Sequence, residues 1–170
     1  MNLFHRLSRL VLCACLVAGF STLAGCTNTV AQRQSDSSTD EATQNRSYMA
    51  TLNRQTADLQ TALDAFQKAV AEEDAVTMQA QLNTVEEVID SVKNTDATSR
   101  LSSVKDGYVD ALCTLDDAMK SYVALYADVK NGMVDAADYQ ARLAEVQRAY
   151  DDGIQKMKDA DQTVSDLANG

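Results

Sequence analysis

Carboxylates aside, few side chains in this chain are able to do covalent or acid–base chemistry. There are four cysteines and one histidine among 170 residues. His5, Cys13 and Cys15 lie near the start, Cys26 follows directly on Leu23-Ala24-Gly25, and Cys113 stands far downstream. The 25 acidic residues include the clusters Glu72-Glu73-Asp74, Glu86-Glu87, Asp116-Asp117 and Asp151-Asp152. Neighbouring acids on a helix point about 100° apart and share no ligand, and none has the spacing of a calcium loop. They read as solvated faces, with no metal or cofactor expected. Cys113 sits beside Leu112 with no Lys, Arg or His placed to activate it, and reads as a structural thiol.

The context of Cys26 is more specific. Arg6 and Arg9 give a positive start with no acid to offset them, Leu10 to Phe20 form an apolar run, and Gly19, Ser21 and Thr22 end it. That is the layout of an export signal, and the run is short of the ~20 residues a membrane-spanning helix needs. Leu23-Ala24-Gly25-Cys26 resembles the lipobox of bacterial lipoproteins. The resemblance implies cleavage before Cys26, a diacylglyceryl group on its sulfur, and attachment to a membrane outside the cytoplasm by palmitate-type chains. Two chains together make such an anchor stable, at ~0.8 kcal/mol per buried methylene. The surface is the outer membrane or the cell surface, depending on the organism. The resemblance covers 26 residues and says nothing of the rest.

Removal of residues 1–25 takes the only histidine with it. What remains lacks the means for Ser-His-Asp or Cys-His catalysis, for the Glu-x-x-His pairs of di-iron bundles and for a His-based zinc site. No enzyme is expected; a hydrolase working with carboxylates alone is the least favoured reading. With Cys26 lipidated, Cys113 is the one remaining thiol, so no internal disulfide can form. Thirteen basic against 25 acidic residues leave a formal charge of −12. That surface disfavours nucleic acid and anionic lipid headgroups.

The elements that must position any site follow from composition and rhythm. Residues 26–43 are Ser-, Thr-, Gln- and Asp-rich and read as a lipidated flexible linker, ~20–25 Å in root-mean-square span. Residues 44–170 contain no Pro and fall into helical spacing. The first stripe is Leu52, Leu59, Leu63, Phe66, Val70, with Thr56 filling the gap. The second is Met78, Leu82, Val85, Ile89, Val92. Between them the register jumps, and Asp74 suits a cap, which predicts a tight turn at 71–74. The third stripe runs from Leu101 to Val129 and stops at Asn131-Gly132. The fourth starts from Asp135 and runs Tyr139, Leu143, Val146, Tyr150, Ile154, Met157, Val164, Leu167. Short connections predict an all-α, up-down-up-down antiparallel four-helix bundle; the alternative is a three-helix bundle with helices 1 and 2 fused. Folding the last two helices about Gly132-Met133 pairs Tyr126 with Tyr139, Leu115 with Tyr150 and Tyr108 with Met157.

At 1.5 Å per residue the third and fourth helices run ~50 Å and the second ~30 Å, so the second hairpin should overshoot the first by roughly 20 Å. The overshoot would carry Tyr122, Val123, Leu125, Tyr126, Met133 and Tyr139 at the end away from the tether. Tyrosine is a common interface anchor. The expectation is a lipid-anchored bundle that binds or scaffolds a protein or envelope partner through a tip of Tyr122, Tyr126, Met133 and Tyr139. The alternative is a carrier holding an apolar or amphipathic ligand between helices made adaptable by Met78, Met119 and Met157.

Overall fold

The computed structural model describes residues 36–169; the leader, Cys26 and the linker up to residue 35 lie outside them. The described chain is all-helical. Its helices are α1 (Asp36–Glu72), α2 (Ala75–Asn94), α3 (Ser102–Lys130) and α4 (Ala136–Asn169), with one 3-10 turn, Ser99–Leu101, leading into α3. Helix α1 begins within the segment expected to be linker, so residues 36–43 are helical. Their polar composition masked this, because the apolar rhythm begins only at Tyr48, which is buried.

Helices α1 and α2 are separate, so the fused three-helix arrangement does not hold. The chain leaves α1 through a Schellman turn, with the Asp74 amide donating to Ala69 O and the Glu73 amide to Val70 O. Glu73 occupies the left-handed position at φ 57°, which glycine fills more easily. Asp74 then caps α2. Its Oδ1 accepts from the amides of Val76 and Thr77, and its Oδ2 accepts from the Thr77 hydroxyl at 2.6 Å. These bonds favour the carboxylate and hold the Asp74 carboxyl below its ordinary pKa. The α3–α4 turn repeats the exit with Gly132 at φ 69°, and Asp135 caps α4 through the amides of Ala137 and Asp138.

The predicted stripes form the core. Leu52, Leu59, Met78, Leu82, Val85, Val104, Leu112, Leu115 and Met119 are all buried almost completely. One polar bridge crosses the α1–α2 interface, where the buried Gln55 amide donates to Ser91 and Thr95. A second ties α2 to α3: Lys120 lies 2.6 Å from Glu86 and 2.7 Å from the buried Asp116. Helix α1 packs on α2, α2 on α3, and α3 most extensively on α4, while α1 reaches α4 through longer side chains, the Gln67 amide donating to the Tyr150 hydroxyl at 3.2 Å. At the end where α1 enters, Asn45 bonds Thr98 and Arg100 donates to Leu167 O.

Contacts between α3 and α4 step down one helix as they step up the other. Arg142 meets Asp128 at 2.8 Å, Lys156 meets Asp110 at 2.9 Å, and Tyr108 donates to Asp161. The register is offset by a few residues from the expected pairing: Leu115 packs directly on Gly153, three residues beyond Tyr150, and Tyr108 bonds Asp161, four beyond Met157. Small residues set it. A Cβ at Gly153 would lie 2.7 Å from Leu115 Cγ and 3.1 Å from the Leu115 amide nitrogen; one at Gly107 would lie 3.3 Å from Ala160 Cβ. The close approach at Gly153 admits no side chain, while that at Gly107 can yield by a few tenths of an ångström. Gly153→Ala is therefore expected to destabilise by about 1–3 kcal/mol through overpacking. In Gly107→Ala, the ~1 kcal/mol gained in helix propensity offsets the tighter contact and leaves stability nearly unchanged. Chemical unfolding of the two variants measures this difference.

Candidate functional site

The end of the molecule away from the entry of α1 is built from two turns, 73–74 and 131–135. Tyr126 joins them: its hydroxyl donates to the Glu73 carbonyl at 2.8 Å. Lys130 adds a 3.5 Å ion pair to the Glu73 carboxylate and stands 5.4 Å from the Tyr126 ring centroid. The α1–α2 turn therefore sits level with Tyr126. The second hairpin overshoots it by about one helical turn, ~6 Å at 1.5 Å per residue, and not by 20 Å. Part of the length difference is taken up at the other end. There the 95–101 connection and the first turn of α3 pass below α2, with Lys105 donating back to Thr95 O and Thr98 bonded to Asn45 of α1.

This alignment decides what becomes of the four expected tip residues. Tyr126 is 5% exposed and Tyr139 3%. Tyr122 is half-buried, its ring set edge-on against Phe66 with centroids 6.0 Å apart. Burial raises the Tyr122 phenol, and the neighbouring Tyr139, Tyr126 and Glu73 raise it further; burial alone raises Tyr139. Tyr122 and Tyr139 therefore stay neutral at physiological pH. Beyond them Leu125, Val129 and Tyr139 form a small separate core with Val134 and Leu143 against it. The tyrosines expected to project are thus packing residues, because the overshoot that would have bared them is short. Met133 alone of the four is exposed, at 65%.

One exposed residue was not foreseen. Val76, in the first turn of α2, is 81% exposed; with Met133 it makes up the exposed large apolar side chains among the described residues. The signal was present in the sequence, since Val76 falls off the Met78-Leu82-Val85 stripe. Met133 is unusual for a further reason. The residue after a Schellman glycine commonly packs on the residue five before it, but here that residue is Asp128, which accepts the Met133 amide.

The other candidates are placed as follows. Cys113 is half-buried. Of the acidic clusters, Asp116 is buried and paired with Lys120, while Glu86, Glu87, Asp151 and Asp152 lie on exposed faces. Among the described residues no group of His, Cys, Asp and Glu is arranged to hold a metal ion, and no helix is long and apolar enough to cross a membrane. Compared with protein families, with curated proteins and with solved structures, the chain matches none.

The phenols separate by their partners. Tyr126→Phe removes the bond to the Glu73 carbonyl and is expected to cost about 1 kcal/mol. Tyr139 keeps a buried hydroxyl with no partner, so Tyr139→Phe is expected to be neutral or stabilising. Thermal unfolding of the two single variants, followed by circular dichroism, gives the comparison.

Proposed function

We propose that this protein is a lipid-anchored helical bundle that binds a partner at a membrane surface outside the cytoplasm, through the end of the bundle farthest from its anchor. The anchor is the diacylglyceryl group on Cys26. The helices run up-down-up-down and antiparallel. The contacts from Gln55 to Ser91 and Thr95, and those between α3 and α4, support this order. One observation carries the binding reading: Val76 and Met133, the exposed large apolar residues of the described chain, belong to the two turns at the same end. Helix α1 enters at the opposite end, where Asn45 meets Thr98. A tether on the N-terminal side thus directs the apolar turns away from the membrane.

The carrier reading has one observation in its favour. Ile154, Met157, Val164 and Leu167 of α4 are only half-buried against the core. Met78 and Met119, which were to lend adaptability, are fully enclosed. This makes the carrier the second reading.

Two measurements test the proposal. The intact mass of the membrane-extracted protein should fit residues 26–170 plus the lipid, and Cys26→Ser should lose the modification; an unmodified mass removes the anchor. A photo-crosslinking residue at position 133 should trap a partner in cells, and one at the exposed position 87 should not. Equal trapping at both positions removes the distal site.

A further inference from the structure

The arrangement of charge and backbone donors around Val76 and Met133 narrows the chemistry of the partner. Two helices, α2 and α4, begin at this end, and a helix N-terminus ordinarily attracts anions through its free amides. Here both are occupied by the protein's own carboxylates. Asp74 accepts from Val76 and Thr77, and Asp135 accepts from Ala137 and Asp138. The nearby cations are also engaged with acids. Lys130 lies 3.5 Å from Glu73, Arg142 lies 2.8 Å from Asp128 and 3.9 Å from Asp138, and Lys68 lies 4.0 Å from Glu72. The two turns and their flanks carry six carboxylates against these three cations.

We infer that the distal end docks a basic protein surface, one that offers an apolar centre to Val76 and Met133 and Lys or Arg side chains to the surrounding carboxylates. An anionic envelope polymer would meet no helix N-terminus still open to it and a surplus of negative charge. A wholly apolar partner would leave the carboxylates to be desolvated without compensation. A basic partner fits both components, and the attraction also steers its approach in a salt-dependent way. This inference rests on the distal-binding reading above and specifies its partner.

The test uses the purified full chain in neutral detergent, with empty micelles as reference. The probes are two helical peptides of equal length and apolar face, one of Leu and Lys, the other of Leu and Glu. The receptors are the wild type and a Val76→Ser, Met133→Ser double variant, whose changes lie at exposed positions and should leave the circular dichroism spectrum unaltered. The Leu/Lys peptide is expected to bind the wild type roughly tenfold or more tightly than the variant, and the Leu/Glu peptide not to bind. Equal binding of Leu/Lys to both receptors would mean general attraction to an acidic body, and would overturn the proposal together with the distal site. Binding of Leu/Glu that the variant loses would keep the distal site and overturn the basic partner. No binding of either peptide would overturn both.

Discussion

The bond from the Tyr126 hydroxyl to the Glu73 carbonyl ties the α1–α2 turn to α3 and, with the Phe66–Tyr122 contact and the Lys130–Glu73 pair, sets the height of one hairpin against the other at the distal end. Glu73 lies in the left-handed region at φ 57°, a conformation that costs a residue with a Cβ roughly 1–2 kcal/mol. The equivalent place in the α3–α4 turn is a glycine, which bears no such cost. What the glutamate gains at its own turn comes from α3. Its carbonyl accepts from Tyr126, and its carboxylate pairs with Lys130 one helical turn farther on. The ion pair is largely exposed and contributes little by itself. The hydroxyl bond is set on a ring that is itself core, so the turn is held at a defined height on α3. That height determines which side chains are covered and which project.

A second constraint acts between α3 and α4. Gly153 against Leu115 and Gly107 against Ala160 bring the two helices close enough that only small residues fit. The stripe residues of α4 then need not fill the space between the helices, and Leu143, Ile154, Met157, Val164 and Leu167 remain half-buried at its margins. The same closeness draws α4 toward α3, while its contact with α1 is made by longer side chains, as between Gln67 and Tyr150. The unequal packing around the bundle follows from two glycines and an alanine in otherwise good helices. Their cost in helix propensity is offset by the contacts they permit.

The class of fold was legible because it is encoded redundantly. Every residue of the second stripe is buried, Asp74 and Asp135 cap the helices they precede, and the chain turns at Asn131-Gly132 as its composition indicates. Relative heights were not legible, because helix lengths alone do not say which ends align. The expected pairing of Leu115 with Tyr150 was a sound apolar match, yet apolar stripes match at several offsets. Size bears on the choice among them, since Gly153 lets Leu115 approach the α4 backbone closely. The tip suffered from the same gap. Tyr122, Tyr126 and Tyr139 were correctly placed near the distal end, but exposure depends on the height of the neighbouring hairpin, and that height is set by a tyrosine hydroxyl bonded to a backbone carbonyl. No side-chain pattern reports such a bond. The start of α1 escaped for a different reason: a helix polar all round has no stripe by which to recognise it.

Single exposed apolar side chains are ordinary on protein surfaces, so the weight of Val76 and Met133 lies in their positions. Each stands where the local structure offers a reason to be polar or a partner to cover it. Val76 follows an N-cap, in a turn whose amides are satisfied by Asp74; a polar residue there would cost the helix almost nothing. Met133 takes the place after the Schellman glycine where an apolar residue usually finds its contact, and finds Asp128 instead. Both retain large apolar side chains that their own fold leaves mostly exposed. They do so in a chain whose other large apolar residues, across all four described helices, are buried or half-buried. A cost left uncompensated inside one molecule is most simply compensated by contact with another. On the proposed reading that contact is with a partner, and the helix N-termini already occupied by Asp74 and Asp135 favour one that is basic.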